Sequence, residues 1–155
     1  MELIVKQIHM LLLKNKKTIA VAESCTGGLI SKILTDNPGS SNYFLAGIVS
    51  YNNKAKEKIL KIPAAIIKKH AAVSKEIASL MAKSIQKISG ADLGIGVTGI
   101  AGPGGGTKNK PVGTIFIAIS GAGFSVTRKL RLKGTRANIR KQTATAALKL
   151  LKSKL

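Results

Sequence analysis

The stretch TIAVAESCTGGLISKIL, residues 18–34, carries a strand, a turn and a helix in direct succession. Its apolar start at 18–22 predicts a buried strand, and residues 26–34 predict a helix. The turn between them holds a hydroxyl, a thiol and two glycines. Backbone N–H groups at a helix start point towards whatever binds there, and the helix dipole favours negative charge. The turn is therefore either a position for a nucleophile or a tight turn in which Thr26 caps the helix.

Outward from this stretch, apolar periodicity and turn residues predict alternating helices and strands. Helices between the early strands imply parallel pairing, and Gly121-Ala122-Gly123 between two apolar runs implies an antiparallel hairpin. Asn53 and Thr135 are expected to cap helices. There is no internal repeat and no linker, so we expect one domain over residues 1–155. The predicted helices cover 2–15, 26–34, 54–60, 63–70, 74–89 and 135–152, and the predicted strands cover 18–22, 44–51, 93–98, 111–120 and 124–132.

The composition of the 155-residue chain, 45% hydrophobic, is typical of a globular protein with a full core. The apolar opening at 3–13 lacks a small-residue cleavage site, and no apolar run is long enough to cross a membrane. The single cysteine, Cys25, excludes an intramolecular disulfide framework and favours a reducing compartment, so we expect a cytoplasmic protein. Cys25, His9 and His70 form no zinc-type pattern, and no metal site is expected.

The charge balance is unusual, because 26 lysines and arginines against 6 acidic residues give a formal net charge of +20. A basic surface attracts phosphates whatever the nucleotide sequence, which makes nucleic acid a candidate partner. The lysines are scattered along the whole chain, however, and few aromatic residues are available to stack on bases. A lysine- and isoleucine-rich composition also arises from nucleotide bias in a genome. We therefore favour a solvated surface that binds nucleic acid at most non-specifically.

A second conspicuous segment, GIGVTGIAGPGGGT at residues 94–107, is rich in glycine. Gly94, Gly96 and Gly99 match the G-x-G-x-x-G pattern, but they lie inside a predicted strand, and no acidic residue follows Asp92 to bind a ribose. No Gly-Lys-Ser/Thr sequence closes a Walker A loop either. Two interpretations remain: a loop whose bare N–H groups cradle a phosphate or an oxyanion, or a flexible surface connection.

A third segment, YNNKAKEK at residues 51–58, is a polar junction between a strand and a helix. Alone, its charges are typical of a solvated surface. A lysine there, crowded by Lys54 and Lys58 and partly desolvated, would have a lowered pKa. A neutral lysine close to Ser24 could then take the proton of the hydroxyl, which is a poor nucleophile without a base.

Together these segments resemble the C-terminal domain of the CinA family, which includes nicotinamide mononucleotide deamidases. The resemblance covers about residues 11–151. Any one of its motifs would be weak, whereas five in the family's order are specific. The five motifs are AESCTGG at 22–28, PGSS at 38–41, YNNKAK at 51–56, GIAGPGG at 99–105 and KPVGT at 110–114.

The resemblance implies an α/β fold, a three-layer α/β/α sandwich with a mixed, mostly parallel sheet and a C-terminal β-hairpin. It implies hydrolysis of the carboxamide of nicotinamide mononucleotide to nicotinate mononucleotide and ammonia, in pyridine nucleotide salvage, by a Ser/Lys dyad without a cofactor. Mapped by motif, the catalytic residues are Ser24 and Lys56, with Tyr51 nearby. The residues implied in binding the mononucleotide are Thr26, Gly27, Gly99, Ala101, Gly102, Gly105 and Arg140, with Arg140 on the phosphate. Arg136 lies one helical turn from Arg140 and can share its face, so it is our second choice for the phosphate.

Some positions depart from the family pattern. Asn52 stands where a hydroxyl residue is common, Lys54 often has an acidic counterpart, and Thr135 replaces an acidic residue. Longer family members carry an additional N-terminal domain, whose phosphohydrolase activity we do not transfer to this chain. The alternative to an enzyme is a non-catalytic module that binds nucleotides or nucleic acid, and the sequence leaves homo-oligomer formation open.

Overall fold

A five-stranded open sheet organises the molecule, and the computed structural model describes all of its residues, 1–155. The strands follow the order β2-β1-β3-β4-β5 across the sheet. Their bounds are Ile19–Glu23 for β1, Phe44–Val49 for β2, Leu93–Gly99 for β3, Thr114–Gly121 for β4 and Phe124–Arg131 for β5. The helices are α1 at Glu2–Lys14, α2 at Leu29–Thr35, α3 at Asn53–Lys58, α4 at Ala64–His70, α5 at Lys75–Ser89 and α6 at Arg136–Lys152.

The sheet is mixed. Strand β1 pairs in parallel with both β2 and β3, so that Ala22 lies between Ile48 and Gly96. Strand β4 runs antiparallel to β3, and β5 runs antiparallel to β4. The predicted parallel strands and C-terminal hairpin are therefore confirmed, and the hairpin supplies the antiparallel half of the sheet.

The helices form a layer on each face of the sheet, which confirms the α/β/α sandwich. Ile19 and Val21 point into the larger core, which packs against α1, α2 and α6. The alternate residues Ala20 and Ala22 point to the other side, where α3, α4 and α5 lie. Successive side chains of this buried strand therefore point to opposite faces of the sheet and pack against the two helix layers.

Helix α5 lies very close to the sheet, and two glycines of β3 permit this. A Cβ atom at Gly94 would collide with the carbonyl oxygen of Ala82, and one at Gly96 with that of Ala78. The G-x-G pair inside β3 therefore serves helix–strand packing, which agrees with rejecting it as a dinucleotide-binding fingerprint.

Two details differ from the sequence predictions. Helix α2 begins at Leu29 instead of Thr26, because Gly27 and Gly28 have φ angles of 57° and 92°, which a right-handed helix does not accept. Helix α3 is capped by Asn52 instead of Asn53, through a bond from the Ala55 N–H to the Asn52 side chain. Thr135 caps α6 as predicted.

None of the six helices combines the length and the apolar character that crossing a lipid bilayer requires.

Candidate active site

The carboxyl end of β1 is the point at which the chain changes sides. The connection from β1 to β2 runs through α2 on one face of the sheet, and the connection from β2 to β3 runs through α3, α4 and α5 on the other. In open α/β sheets a crevice forms at such a switch point, outside the carboxyl ends of the strands. The segments after β1, β2 and β3 therefore meet at a predictable place.

The turn after β1, residues 24–28, is held by backbone hydrogen bonds. The Ser24 N–H donates to the carbonyl of Val97 on β3 at 3.0 Å, and the Gly27 N–H donates back to the Ser24 carbonyl at 3.0 Å. The N–H groups of Cys25 and Thr26 donate to no backbone carbonyl. Two free donors therefore follow the candidate nucleophile directly.

The side chain of Glu23, the last residue of β1, holds this turn and the start of α2 in place. Its fully buried carboxylate accepts hydrogen bonds from the N–H groups of Gly28, Ile30 and Ser31 and from the Ser31 hydroxyl, at 2.7–3.1 Å. A carboxylate at a helix start satisfies N–H groups that have no partner in the helix and complements the helix dipole. Glu23 therefore does the work predicted for Thr26, whose hydroxyl oxygen is buried without a partner.

Lys56 is the amine side chain that reaches Ser24. The short helix α3 places it at the end of β2, where it is 1% exposed. Its Nζ donates to the Ser50 carbonyl at 2.8 Å and to Ser24 Oγ at 3.3 Å. No carboxylate pairs with it. Burial lowers the pKa of Lys56, because the charged form loses its hydration.

Cys25 is the alternative nucleophile, and its surroundings lower its reactivity. Cys25 is 6% exposed, and burial raises the pKa of its thiol to about 12. The positive charges of Lys56 and Arg140 lower this pKa, but by less than burial raises it. Since the thiolate is the reactive form of cysteine, Cys25 is chemically quiet, whereas Ser24 has a base in contact.

A cleft of about 190 Å³ opens above Ser24. It collects residues from the ends of three neighbouring strands and from helix α6. The residues that line it are Ser24, Cys25, Tyr51, Asn53, Lys56, Ala72, Val73, Thr98, Gly99, Ala101 and Arg136. Hydroxyl, amine, phenol and guanidinium groups thus converge on one small space.

Arg136 bridges the two rims of the cleft. One guanidinium nitrogen donates to the Gly102 carbonyl and the other to the Tyr51 hydroxyl, both at 2.7 Å. Tyr51 is 56% exposed, so this side of the cleft faces solvent. The arrangement places a positive charge in the wall of the cleft that also holds the buried amine of Lys56.

The structure brings together part of the site set inferred from the sequence. Ser24, Lys56, Tyr51, Gly99 and Ala101 line the cleft. Gly102 touches it through Arg136. Four other positions lie outside the lining: Thr26, Gly27, Gly105 and Arg140.

Arg140 lies one helical turn beyond Arg136, but it faces the nucleophile turn. Its Nη2 donates to the Thr26 carbonyl at 2.7 Å, and it does not line the cleft. Arg136, the second choice for the phosphate, is the arginine that the structure places in the cleft wall.

Sequence reasoning missed several contributors to this site. Thr98 and Val73 line the cleft, and Lys110 donates to the Val73 carbonyl at 2.7 Å, which ties the glycine-rich loop to the segment before α5. Thr98 could have been found as the last hydroxyl of a strand that ends at the switch point. Nothing in the sequence signals that Lys110 contacts Val73, 37 residues away.

A family model described as CinA C-terminal domain matches residues 1–155. A CinA-like protein from Mycobacterium marinum is 50% identical over 140 residues, which cover 90% of this chain and 33% of that protein. A CinA-like protein from Desulfotalea psychrophila is 50% identical over 141 residues, which cover 91% of this chain and 34% of that protein. The chain thus spans about a third of the length of these curated relatives.

Solved structures agree with this match. The competence/damage inducible protein CihA from Agrobacterium tumefaciens has a TM-score of 0.95 at 36% identity, over 98% of this chain and 93% of that one. The competence damage-inducible protein A (ComA) from Klebsiella pneumoniae has a TM-score of 0.94 at 28% identity, over 97% and 94% of the two chains. Sequence motifs, family model and fold coincide, and the chain therefore belongs to the CinA family, as a CinA C-terminal domain.

Proposed function

We propose that this domain is an amidohydrolase that converts nicotinamide mononucleotide and water to nicotinate mononucleotide and ammonia. The observation that carries the proposal is the 3.3 Å contact between the buried Lys56 amine and Ser24 Oγ, at the edge of a cleft and with no carboxylate on the lysine. A hydroxyl beside a desolvated amine is an activated nucleophile. The family resemblance supplies the substrate.

The first half of the reaction forms an acyl-enzyme. Neutral Lys56 takes the hydroxyl proton of Ser24 while Oγ bonds to the carboxamide carbon, and the carbonyl electrons move to the oxygen. When this oxyanion collapses, the carbon–nitrogen bond breaks. The departing nitrogen receives the proton from the Lys56 ammonium and leaves as ammonia.

The second half returns the enzyme to its starting state. A water molecule gives a proton to Lys56 and bonds to the acyl carbon, the bond to Ser24 Oγ breaks, and Ser24 recovers its proton from Lys56. The N–H groups of Cys25 and Thr26, which donate to no backbone carbonyl, are our candidates for stabilising the oxyanion in both halves. These steps consume water alone.

We assign the phosphate of the substrate to Arg136. It is exposed and lines the cleft, and beyond the two N–H groups that it gives to Gly102 and Tyr51 its guanidinium has three more donors for a phosphate. The glycine-rich loop beside it adds backbone N–H groups. Arg136→Ala should weaken binding of the mononucleotide on the order of tenfold or more, and binding of nicotinamide riboside much less. Equal losses of affinity for both ligands would show that Arg136 does not bind the phosphate.

The test of the activity is ammonia release from nicotinamide mononucleotide, with nicotinate mononucleotide identified by mass. Ser24→Ala should lose on the order of a thousandfold or more in kcat, because no other activated nucleophile remains. Cys25→Ala is the matched control and should keep most of the activity. Loss in Cys25→Ala with activity in Ser24→Ala would make this a cysteine amidase, and no ammonia from the unmodified protein would refute the proposal.

A further inference from the structure

Arg140 makes a contact that phosphate binding does not explain. It is half-buried on α6, 114 residues from Thr26 in the chain, and its Nη2 donates to the Thr26 carbonyl at 2.7 Å. The cleft lining contains Arg136 but not Arg140. Because the guanidinium donates to a backbone carbonyl of the turn after β1, its direct effect is to hold that turn in place.

This contact completes a clamp on one peptide unit. The Thr26 carbonyl and the Gly27 N–H belong to the same peptide group. The carbonyl accepts from Arg140 at 2.7 Å and from the Leu29 N–H at the longer distance of 3.3 Å, and the N–H donates to the Ser24 carbonyl at 3.0 Å. Both ends of the group are therefore fixed, and the orientation of the preceding peptides, which carry the Cys25 and Thr26 N–H groups, depends on that fixation.

The turn also provides room for the guanidinium. Gly27 has a φ of 57°, in the left-handed region, and a Cβ atom built there would lie 3.2 Å from Arg140 Nη2. The absence of a side chain at Gly27 lets the Arg140 guanidinium approach the turn closely. The glycine and the arginine therefore form one structural unit.

We infer that Arg140 is a positioning residue: it holds the Thr26–Gly27 peptide so that the free N–H groups of Cys25 and Thr26 stay aligned beside Ser24. Its part in catalysis rests on the proposed function, whereas its part in holding the turn does not. The inference moves Arg140 from the phosphate, where the family resemblance placed it, to the oxyanion side of the site.

Cys25 gives a direct measurement of the turn that needs no activity. It is the only cysteine of the chain and is buried inside the clamped turn. In the native wild type it should react slowly with a thiol reagent such as DTNB. Arg140→Gln should raise that rate at least tenfold, because the turn opens. Losing the positive charge alone would raise the thiol pKa and slow the reaction, so a faster rate reports opening.

Two variants complete the experiment. Lys141→Gln, at an exposed position of the same helix outside the cleft lining, should leave Cys25 as protected as in the wild type. Arg140→Lys keeps the positive charge but loses the paired N–H donors of the guanidinium, so Cys25 should react at an intermediate rate in this variant. Arg140→Lys also provides the test if Arg140→Gln does not fold. Thermal unfolding confirms that each labelled variant is native. Unchanged protection of Cys25 in both Arg140 variants would overturn the inference.

Steady-state kinetics give the second measurement. In Arg140→Gln, kcat should fall ten- to a hundredfold for both the mononucleotide and the riboside, with KM changed less than threefold, because the loss is in alignment. A loss confined to the mononucleotide, expressed in KM, would return Arg140 to the phosphate. If the wild type releases no ammonia, the proposed function fails, while the labelling of Cys25 still decides the role of Arg140.

Discussion

Lys56 is a buried amine whose protonation state controls the proposed chemistry. Its pKa is lowered because burial removes the hydration of the ammonium and no carboxylate replaces it. The base form must be neutral, so kcat/KM should rise with pH through the lowered pKa and level off above it. The measurement is a pH–rate profile of ammonia release with the mononucleotide. This role would be contradicted if kcat/KM rose only near the ordinary lysine pKa of about 10.4, or if no rise in kcat/KM depended on Lys56.

The same shift makes a prediction about stability. In the pH window between the lowered pKa of folded Lys56 and the ordinary value near 10.4, the unfolded chain binds more protons than the folded one. The free energy of unfolding should therefore rise with pH across that window. Lys56→Met should abolish activity and flatten this rise in urea unfolding measured at several pH values. Lys58→Met, an exposed neighbour on α3, is the control and should leave the rise intact.

At the scale of elements, the start of α2 depends on one buried carboxylate. Glu23 accepts four hydrogen bonds there, and an amide in its place would turn N–H donors towards other N–H donors. Glu23→Gln should therefore lower the free energy of unfolding by about 2–4 kcal/mol, as measured by urea denaturation.

The control is Glu57→Gln, at an exposed position of α3, which should change the free energy of unfolding by less than about 0.5 kcal/mol. Equal effects would mean that Glu23 is not an anchor.

Elements with strong periodicity were predictable from the sequence, and the ends of α2 and α3 were not. The apolar pattern of α5 and the cap at Thr135 are local features, and the structure confirms both. Helix α2 starts late because its N–H groups are satisfied by Glu23, up to eight residues earlier in the chain. A cap that comes from inside the preceding strand has no local signature.

At the scale of the whole molecule, the charge of +20 is spread over several faces. Exposed Lys6 and Lys141 belong to helices on one side of the sheet, whereas Lys68 and Lys83 belong to helices on the other. We therefore expect duplex DNA to bind without sequence preference, with a Kd of about 10⁻⁶ M or weaker at physiological salt and a steep loss on adding salt. Fluorescence anisotropy across a salt series measures this. Tight binding that persists at physiological salt would favour a nucleic-acid module.

The candidate site shows where sequence reasoning stops. Ser24 and Lys56 follow different strands, but both strands end at the same edge of the sheet, so their meeting could be anticipated once the motifs were seen. Arg136 and Arg140 lie on one helix, one turn apart. Which of them faces the cleft depends on how α6 is rotated against the sheet, and that rotation is set by packing over the whole core.

The burial of Cys25 has a consequence for oxidative damage. Burial raises the pKa of Cys25 to about 12, so the thiol stays protonated at neutral pH, and peroxide attacks the ionised form. A sulfur atom thus sits beside the proposed nucleophile without offering oxidants a target, and a serine hydroxyl has no comparable oxidation chemistry. Peroxide would inactivate an amidase with a cysteine nucleophile, whereas the serine nucleophile proposed for this domain should leave its activity resistant to peroxide.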